Sequence, residues 1–207
     1  VACKKFLEPY LPVPRVAREG NVFRLEASAP KSIGKVKTFW GNVGMHVRAY
    51  AYIRFHGPEG IRRNAEHAVL NANYLMSRLK KNFRIAFPRA CMHEFVIDNT
   101  PYAKKTGVRT LDMAKRLLDY NFHPPTIYFP LIVHEALMIE PTETENRETL
   151  DAFADALLKI AEEAKSDPEK VKTAPHTMPV KRLDEVKAAK QPNVRWCTPC
   201  EPPPPAE

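Results

Sequence analysis

The sequence contains no run of about 18 apolar residues, so it offers no segment able to cross a bilayer as a helix. Its opening residues, Val1-Ala2-Cys3-Lys4-Lys5, are followed by no apolar stretch and do not read as a secretory signal. The chain starts without Met, which fits a fragment or a processed subunit as well as a whole protein. Cysteine is scarce, with four among 207 residues. That is too few for a disulfide framework in a chain of this size, and the usage suits a reducing cytoplasm. Cys3 and Cys91 stand alone, and Cys91 sits in an apolar stretch where a buried thiol is expected. Cys197-Thr198-Pro199-Cys200 is a single CxxC. It supplies at most half a zinc site, and no second pair completes it. His46, His56, His67, His134 and His176 show no metal-ligand spacing, so no metal is expected.

Acidic charge is in the minority. The net charge of +8 invites a nucleic-acid reading. The Lys and Arg residues are scattered, however, without an arginine-rich stripe or a base-stacking motif. The expectation is a basic surface that aids solubility or meets an acidic protein, with neither nucleic acid nor membrane as partner. Hydrophobic content of 44% and charged content of 27% are those of an ordinary globular chain, long enough for one good core.

The first forty residues are punctuated by Pro9, Pro12, Pro14 and Pro30, which forbid a continuous helix. Only Val22–Glu26 alternates like a short strand. A helix is predicted from Met45 to Phe55, then a break at Gly57-Pro58, then a helix from Glu59 to Lys80. Ile61, Ala65, Ala68, Ala72, Leu75 and Leu79 form its apolar stripe. Strands follow around Phe83, Ile85 and Phe87 and from Met92 to Asp98, with a turn over Asn99–Gly107. Leu111–Tyr120 reads as a helix, Ile127–Phe129 and Ala136–Glu140 as strands, and Glu143–Lys165 as a helix. Thr142 with Glu145 reads as the capping box of that last helix, and Asp167-Pro168 ends it. Helices on one face of a small, mostly antiparallel sheet, an α/β (α+β) arrangement, is the expected architecture. Three regions are expected: an irregular lead-in over 1–40, an α/β domain over 41–170, and a polar, proline-rich tail over 171–207 that closes in a polyproline-type run.

Several segments in order carry a resemblance. They include Ser32-Ile33-Gly34-Lys35-Val36, Gly41-Asn42-Val43-Gly44 before Arg48-Ala49-Tyr50-Ala51-Tyr52-Ile53, and Ala68–Leu75. Met92-His93-Glu94-Phe95-Val96, Ala114–Thr126 and Met138-Ile139-Glu140-Pro141-Thr142-Glu143-Thr144-Glu145 follow. Together they are similar to the C-terminal part of the glycine-decarboxylating P-protein family of the glycine cleavage system, and most of all to subunit 2 of its two-subunit form. The resemblance covers most of residues 5–196. It implies the small C-terminal domain of an aspartate-aminotransferase-like (fold type I) pyridoxal-phosphate enzyme, with residues 1–40 as the lead-in from its large domain. The implied reaction decarboxylates glycine and passes the aminomethyl group to the lipoyl arm of H-protein. The implied partners are subunit 1, the N-terminal part of subunit 2, lipoylated H-protein and glycine. The family's His-Lys cofactor motif and the glycine-rich stretch after it should lie just upstream of Val1. No His-Lys pair occurs in this sequence, and it has only seven glycines. Pyridoxal phosphate is therefore expected in the complete enzyme and not covalently on this chain, which alone is expected to be inactive.

The resemblance also selects candidate residues. Phe122-His123-Pro124-Pro125-Thr126 is stiff and non-helical, able to fix an imidazole and a hydroxyl at a cleft edge. His123 is a candidate for proton transfer or for pairing with a carboxylate, against a buried turn-forming histidine. Thr126 is its neighbour in that role. His93, with Glu94 at a strand start, is either a site residue or part of a structural pair. Asn42 precedes a helix whose amides could face the cofactor phosphate. Glu140-Pro141-Thr142-Glu143 is explained by strand termination and helix capping. Cys197 and Cys200 resemble a cysteine-containing tail of some relatives, with a redox or docking role. The competing reading is a non-catalytic, stand-alone α/β ligand-binding or interaction module.

Overall fold

The computed structural model describes residues 3–194, and the Cys197–Cys200 pair and the terminal proline run lie outside them. The chain divides into two units, Val1–Gly57 and Pro58–Glu207.

In the first unit a 3-10 turn, Lys5–Tyr10, leads into a hairpin of β1 (Arg15–Glu19) and β2 (Val22–Glu26). Glu19 pairs with Val22 across a two-residue loop, and Gly20 supplies its positive φ of 59°. β2 matches the expected strand. β1 was not expected, because Arg15-Val16-Ala17-Arg18-Glu19 has only one large apolar residue and no alternation to mark it. Among the described residues of this unit only Val13 is buried.

Helix α1 spans Val43–Leu79 and is interrupted at Gly57 (φ 61°, ψ −179°), where the sequence called for a break. Its apolar stripe is buried only towards the C-terminal end, at Ala72, Leu75 and Leu79, while Ile61 and Ala65 stay exposed.

The second unit holds a four-stranded antiparallel sheet in the order β3-β4-β6-β5: Arg84–Ile85, Phe95–Asp98, Ala136–Ile139 and Thr126–Ile127. Phe95 faces Ile139 and Ile97 faces Leu137, so these four share one face. That face joins one core with Leu75 and Leu79 of α1, Met113 and Leu117 of α3 (Thr110–Asp119), and Leu157 and Ile160 of α4 (Arg147–Ser166). This is the mixed helix and antiparallel-sheet architecture expected from the element order.

Two expectations need correction. Asn99–Gly107 is no mere turn but contains α2 (Thr100–Thr106), closed by Gly107 in the left-handed region at φ 72°. Pro101 is well placed in the first turn of this helix, where its missing N–H costs nothing. The last long helix begins at Arg147, and its cap is Asn146, whose side chain accepts from the Thr149 N–H at 2.8 Å. Thr142 instead shares a 2.7 Å hydroxyl contact with Thr144. The acidic, threonine-rich run 142–146 contains several residues with capping chemistry, and only packing selects among them.

Beyond Asp167 come α5 (Pro168–Lys172) and α6 (Glu185–Lys190). Val171 and Ala174 are fully buried. The Asp119 carboxylate on α3 accepts from the backbone N–H groups of His176 (2.7 Å) and Thr177 (2.8 Å) and from the Thr177 hydroxyl (2.9 Å). Arg182 donates to the Ala174 carbonyl and pairs with Asp112 at 2.7 Å.

Candidate functional site

A cleft of about 390 Å³ opens in the second unit, within the range of small-ligand sites. Its apolar floor includes Leu75, Met138, Leu150 and Phe153, and its polar groups come from three loops or helix starts.

The segment bearing His123 is placed by the way α3 ends. Asn121 adopts a left-handed φ of 62°. Its N–H donates to the Leu118 carbonyl at 3.0 Å, and the Phe122 N–H donates to that of Leu117 at 3.1 Å. This is a Schellman closure with asparagine in the position usually held by glycine. The chain then turns so that the Phe122 ring meets Phe153 edge-on, with centroids 5.3 Å apart. Pro124 and Pro125 extend the backbone to Thr126, where β5 begins opposite Met138. His123 and Thr126 both line the cleft and both are exposed. The alternative of a buried turn-forming histidine at 123 does not hold.

The opposite wall is the loop after β6, with Glu140, Pro141, Thr142 and Glu145. Pro141 is buried and Glu140 exposed. His93 lies two residues before β4 rather than in it, and its Nε2 is 3.8 Å from a Glu140 carboxylate oxygen. At that distance the two attract when the imidazole is protonated, without a direct hydrogen bond. His93 is thus tied to the rim through Glu140, while His123 and Thr126 form the lining itself.

Two residues that the sequence reading passed over hold this arrangement. Asn71 donates to the carbonyls of Thr142 (2.9 Å) and Glu145 (3.1 Å). Asn73 grips Cys91 from both sides. Its amide donates to the Cys91 carbonyl at 2.7 Å, and its side-chain oxygen accepts the Cys91 N–H at 3.1 Å. Two asparagines on α1 therefore anchor the loops that carry Glu140 and His93. Apart from the Val69 carbonyl, to which Asn73 also donates at 2.8 Å, their partners are backbone groups remote in sequence, so no local pattern marks them. Cys91 is partly buried, and desolvation pushes its thiol up from the ordinary value.

Asn42 belongs to the other unit. There its backbone carbonyl accepts from Met45 and His46, and its side chain reaches the Met45 N–H at 3.4 Å, as a cap of α1.

Chemically, the cleft offers an imidazole, the hydroxyls of Thr126, Thr142 and Thr149, and two carboxylates, Glu140 and Glu145, over an apolar floor. Its described lining includes neither lysine nor arginine. Among the described residues no helix is long and apolar enough to cross a membrane.

Comparison with known proteins places these features. Residues 64–182 match the family model described as glycine dehydrogenase, C-terminal domain. A probable glycine dehydrogenase (decarboxylating) subunit 2 from Caldanaerobacter subterraneus is 58% identical over 197 residues, which is 95% of this chain and 40% of that protein. The protein of the same name from Fervidobacterium nodosum is 55% identical over 196 residues, 95% of this chain and 41% of its own. That from Listeria monocytogenes is 54% identical, again over 95% and 40%. The chain spans about two fifths of the length of the curated relatives it matches.

Proposed function

Because the chain belongs to the glycine dehydrogenase C-terminal domain family, whose model matches more than half of it, we propose that it serves as the C-terminal portion of the second subunit of a glycine-decarboxylating P-protein. The observation that carries this reading is identity of 54–58% across 95% of the chain to proteins of that name. In this role the chain would take the small-domain position of an aspartate-aminotransferase-like enzyme, assemble with a first-type subunit in the cytoplasm, and act on glycine with transfer of the aminomethyl group to lipoylated H-protein.

Pyridoxal phosphate is the cofactor this reading implies, an electron sink that a protein holds through a lysine amine and through cations or amides at its phosphate. The cleft does not fit that group by itself, because neither a lysine nor an arginine lines it. We therefore assign cofactor anchoring to polypeptide outside this chain. What the chain contributes is the two walls of a small cleft: the His123–Thr126 segment on one side and the Asn71-anchored 140–145 loop on the other. The His123 imidazole is the group suited to hold or move a proton, with the Thr126 hydroxyl on the same cleft lining. His93 is the weaker candidate, acting at the rim through Glu140. Asn42 is assigned no more than helix capping with a phosphate-side role dependent on the rest of the enzyme.

The test is exchange of labelled carbon dioxide into the glycine carboxyl group. The chain would be combined with the rest of subunit 2, subunit 1, pyridoxal phosphate and lipoylated H-protein. Exchange should require this chain, and His123→Asn should lower kcat at least tenfold with an unchanged melting temperature, since the side chain is exposed. Full exchange by the other components alone would overturn the assignment. It would favour an independent ligand-binding module, for which the self-contained core and cleft of the second unit also suffice.

A further inference from the structure

One carboxylate of the second unit stands where its own helix opposes it. Asp119 is the last residue of α3, so its charge meets the negative end of the helix. Its side chain is only 2% exposed, so it is also withdrawn from water. Asp112, in the first turn of the same helix, is the opposite case. It lies at the end that favours an acid, and it accepts the Arg109 N–H at 2.8 Å. Local helix chemistry explains Asp112 and counts against Asp119.

What offsets that cost comes mainly from far along the chain. One Asp119 oxygen accepts from the His176 N–H, the Thr177 N–H and the Thr177 hydroxyl at 2.7, 2.8 and 2.9 Å. The other accepts from Arg116 at 2.8 Å. Three of the four donors thus belong to a strap, residues 173–182. Its root is held by Val171 and Ala174, both fully buried, and by the His176 ring, whose Nε2 is 2.8 Å from the Lys170 carbonyl. Its far end is held by Arg182, which meets Asp112 at 2.7 Å. Asp112 and Asp119 are about two helical turns apart and share a face of α3, so the strap runs back along that face from the last turn to the first. The region matched by the family model ends at Arg182 and takes in the whole strap.

The turn that Asp119 closes is the one from which the His123 wall hangs. The Asn121 and Phe122 N–H groups donate to the Leu118 and Leu117 carbonyls, so the path into the cleft is fixed only as well as that turn is. Helix ends are the parts that open most readily. The strap bolts this one shut. Asp119 itself is no part of the cleft lining and acts on it through the backbone that leads to His123.

We propose that the 173–182 strap sets the position of His123 and that Asp119 is the positioning residue through which it acts, an inference that rests on the subunit-2 reading for the reaction His123 serves.

The test compares Asp119→Ala, Thr177→Val and Leu79→Ala in the full chain and in the enzyme reassembled with the rest of subunit 2, subunit 1, pyridoxal phosphate and lipoylated H-protein. The His123 ring resonances, identified by their absence in His123→Asn, should shift in Asp119→Ala. They should shift less in Thr177→Val, which removes one donor and keeps both N–H groups. In the reassembled enzyme Asp119→Ala should lower kcat for carbon dioxide exchange about tenfold or more, with KM for glycine within about twofold, as displacing a proton-transfer group does. Thr177→Val should fall between that variant and the unaltered chain. Leu79→Ala opens the core on α1, outside the strap and α3, so it should lower the melting temperature and leave both readouts in place. Ring resonances that stay put in both strap variants overturn the proposal, and so does an equal shift in Leu79→Ala. A shifted ring with unchanged kcat overturns it as well. Should Asp119→Ala fail to fold, Thr177→Val decides alone. If the unaltered chain supports no exchange, the subunit-2 reading fails, and the ring comparison still decides whether the strap places His123.

Discussion

Asn121 shows how much one residue can decide. Its left-handed backbone ends α3, turns Phe122 onto Phe153 and so places His123 at the cleft. Asparagine tolerates that conformation, glycine prefers it, and a β-branched residue resists it. Asn121→Gly should leave stability within about 0.5 kcal/mol of the wild type, whereas Asn121→Val should cost about 1–2 kcal/mol by urea denaturation. Asn121→Val should also broaden the His123 ring resonances in NMR spectra as the loop loses its fixed entry. In the sequence the end of α3 near Tyr120 was legible, because the Leu111–Leu118 periodicity stops there. The closure that aims His123 was not, since Asn-Phe carries no signal of its own without the facing Phe153. Asn71 and Asn73 were illegible for the same reason, as each binds backbone groups that only folding brings near.

Among the elements, α4 illustrates how competing local signals are resolved. Thr142 and Glu145 satisfy the capping-box pattern, yet Asn146 is the residue that caps. The two differ measurably. Asn146→Ala should cost about 1 kcal/mol, as loss of an N-cap does, and Thr142→Ala should cost less than about 0.5 kcal/mol. Equal effects would return the helix start to residue 143. The region just before it is held as a loop by Asn71 and by the strand-ending Pro141, so the helix cannot extend backwards. Element type was readable wherever a long period ran through the sequence, as in α1, α3 and α4. The short strands β3 and β5, two residues each, were predicted longer than they are. The apolar run continues past the regular strand, as at Tyr128, whose φ of 57° leaves extended geometry although its N–H still donates to the Ala136 carbonyl at 2.9 Å.

For the molecule as a whole, two quantities report on the packing of the second unit. Leu157 is fully buried among α4, α3 and the sheet, and Leu157→Ala should cost about 2–5 kcal/mol in chemical denaturation followed by circular dichroism. The second quantity is acid stability. Arg116 donates to both Glu163 oxygens at 2.9 Å and to Asp119 at 2.8 Å, and Lys170 pairs with Glu163 at 2.7 Å. The Arg116 guanidinium, followed by Lys170, overcomes desolvation and holds Glu163 at about 2. Burial would raise Asp119, but the Thr177 and His176 N–H groups and Arg116 outweigh it and bring that carboxyl also to about 2. Both values lie below the unfolded ones of about 3.9 for Asp and 4.3 for Glu. The unfolded chain therefore takes up protons first, and the stabilisation is complete above about pH 5 and lost as pH falls towards 2. The urea midpoint should be flat from about pH 5 to 7 and drop below pH 4, with Glu163→Gln showing a shallower drop. A midpoint independent of pH down to 2 would contradict the network.

Periodicity, proline and glycine placement in the chain suffice for the long helices α1, α3 and α4 and for the break at Gly57-Pro58, because these depend on interactions within a few residues. Ordered family-like segments likewise single out His123 and Thr126. What required the folded molecule is the meeting of those two with Glu140 and Glu145 around one cavity and the asparagine clamps beneath it. Each of these is a relation between groups far apart along the chain. A hydrogen bond to a remote carbonyl leaves no trace in local order until the backbone has closed upon itself.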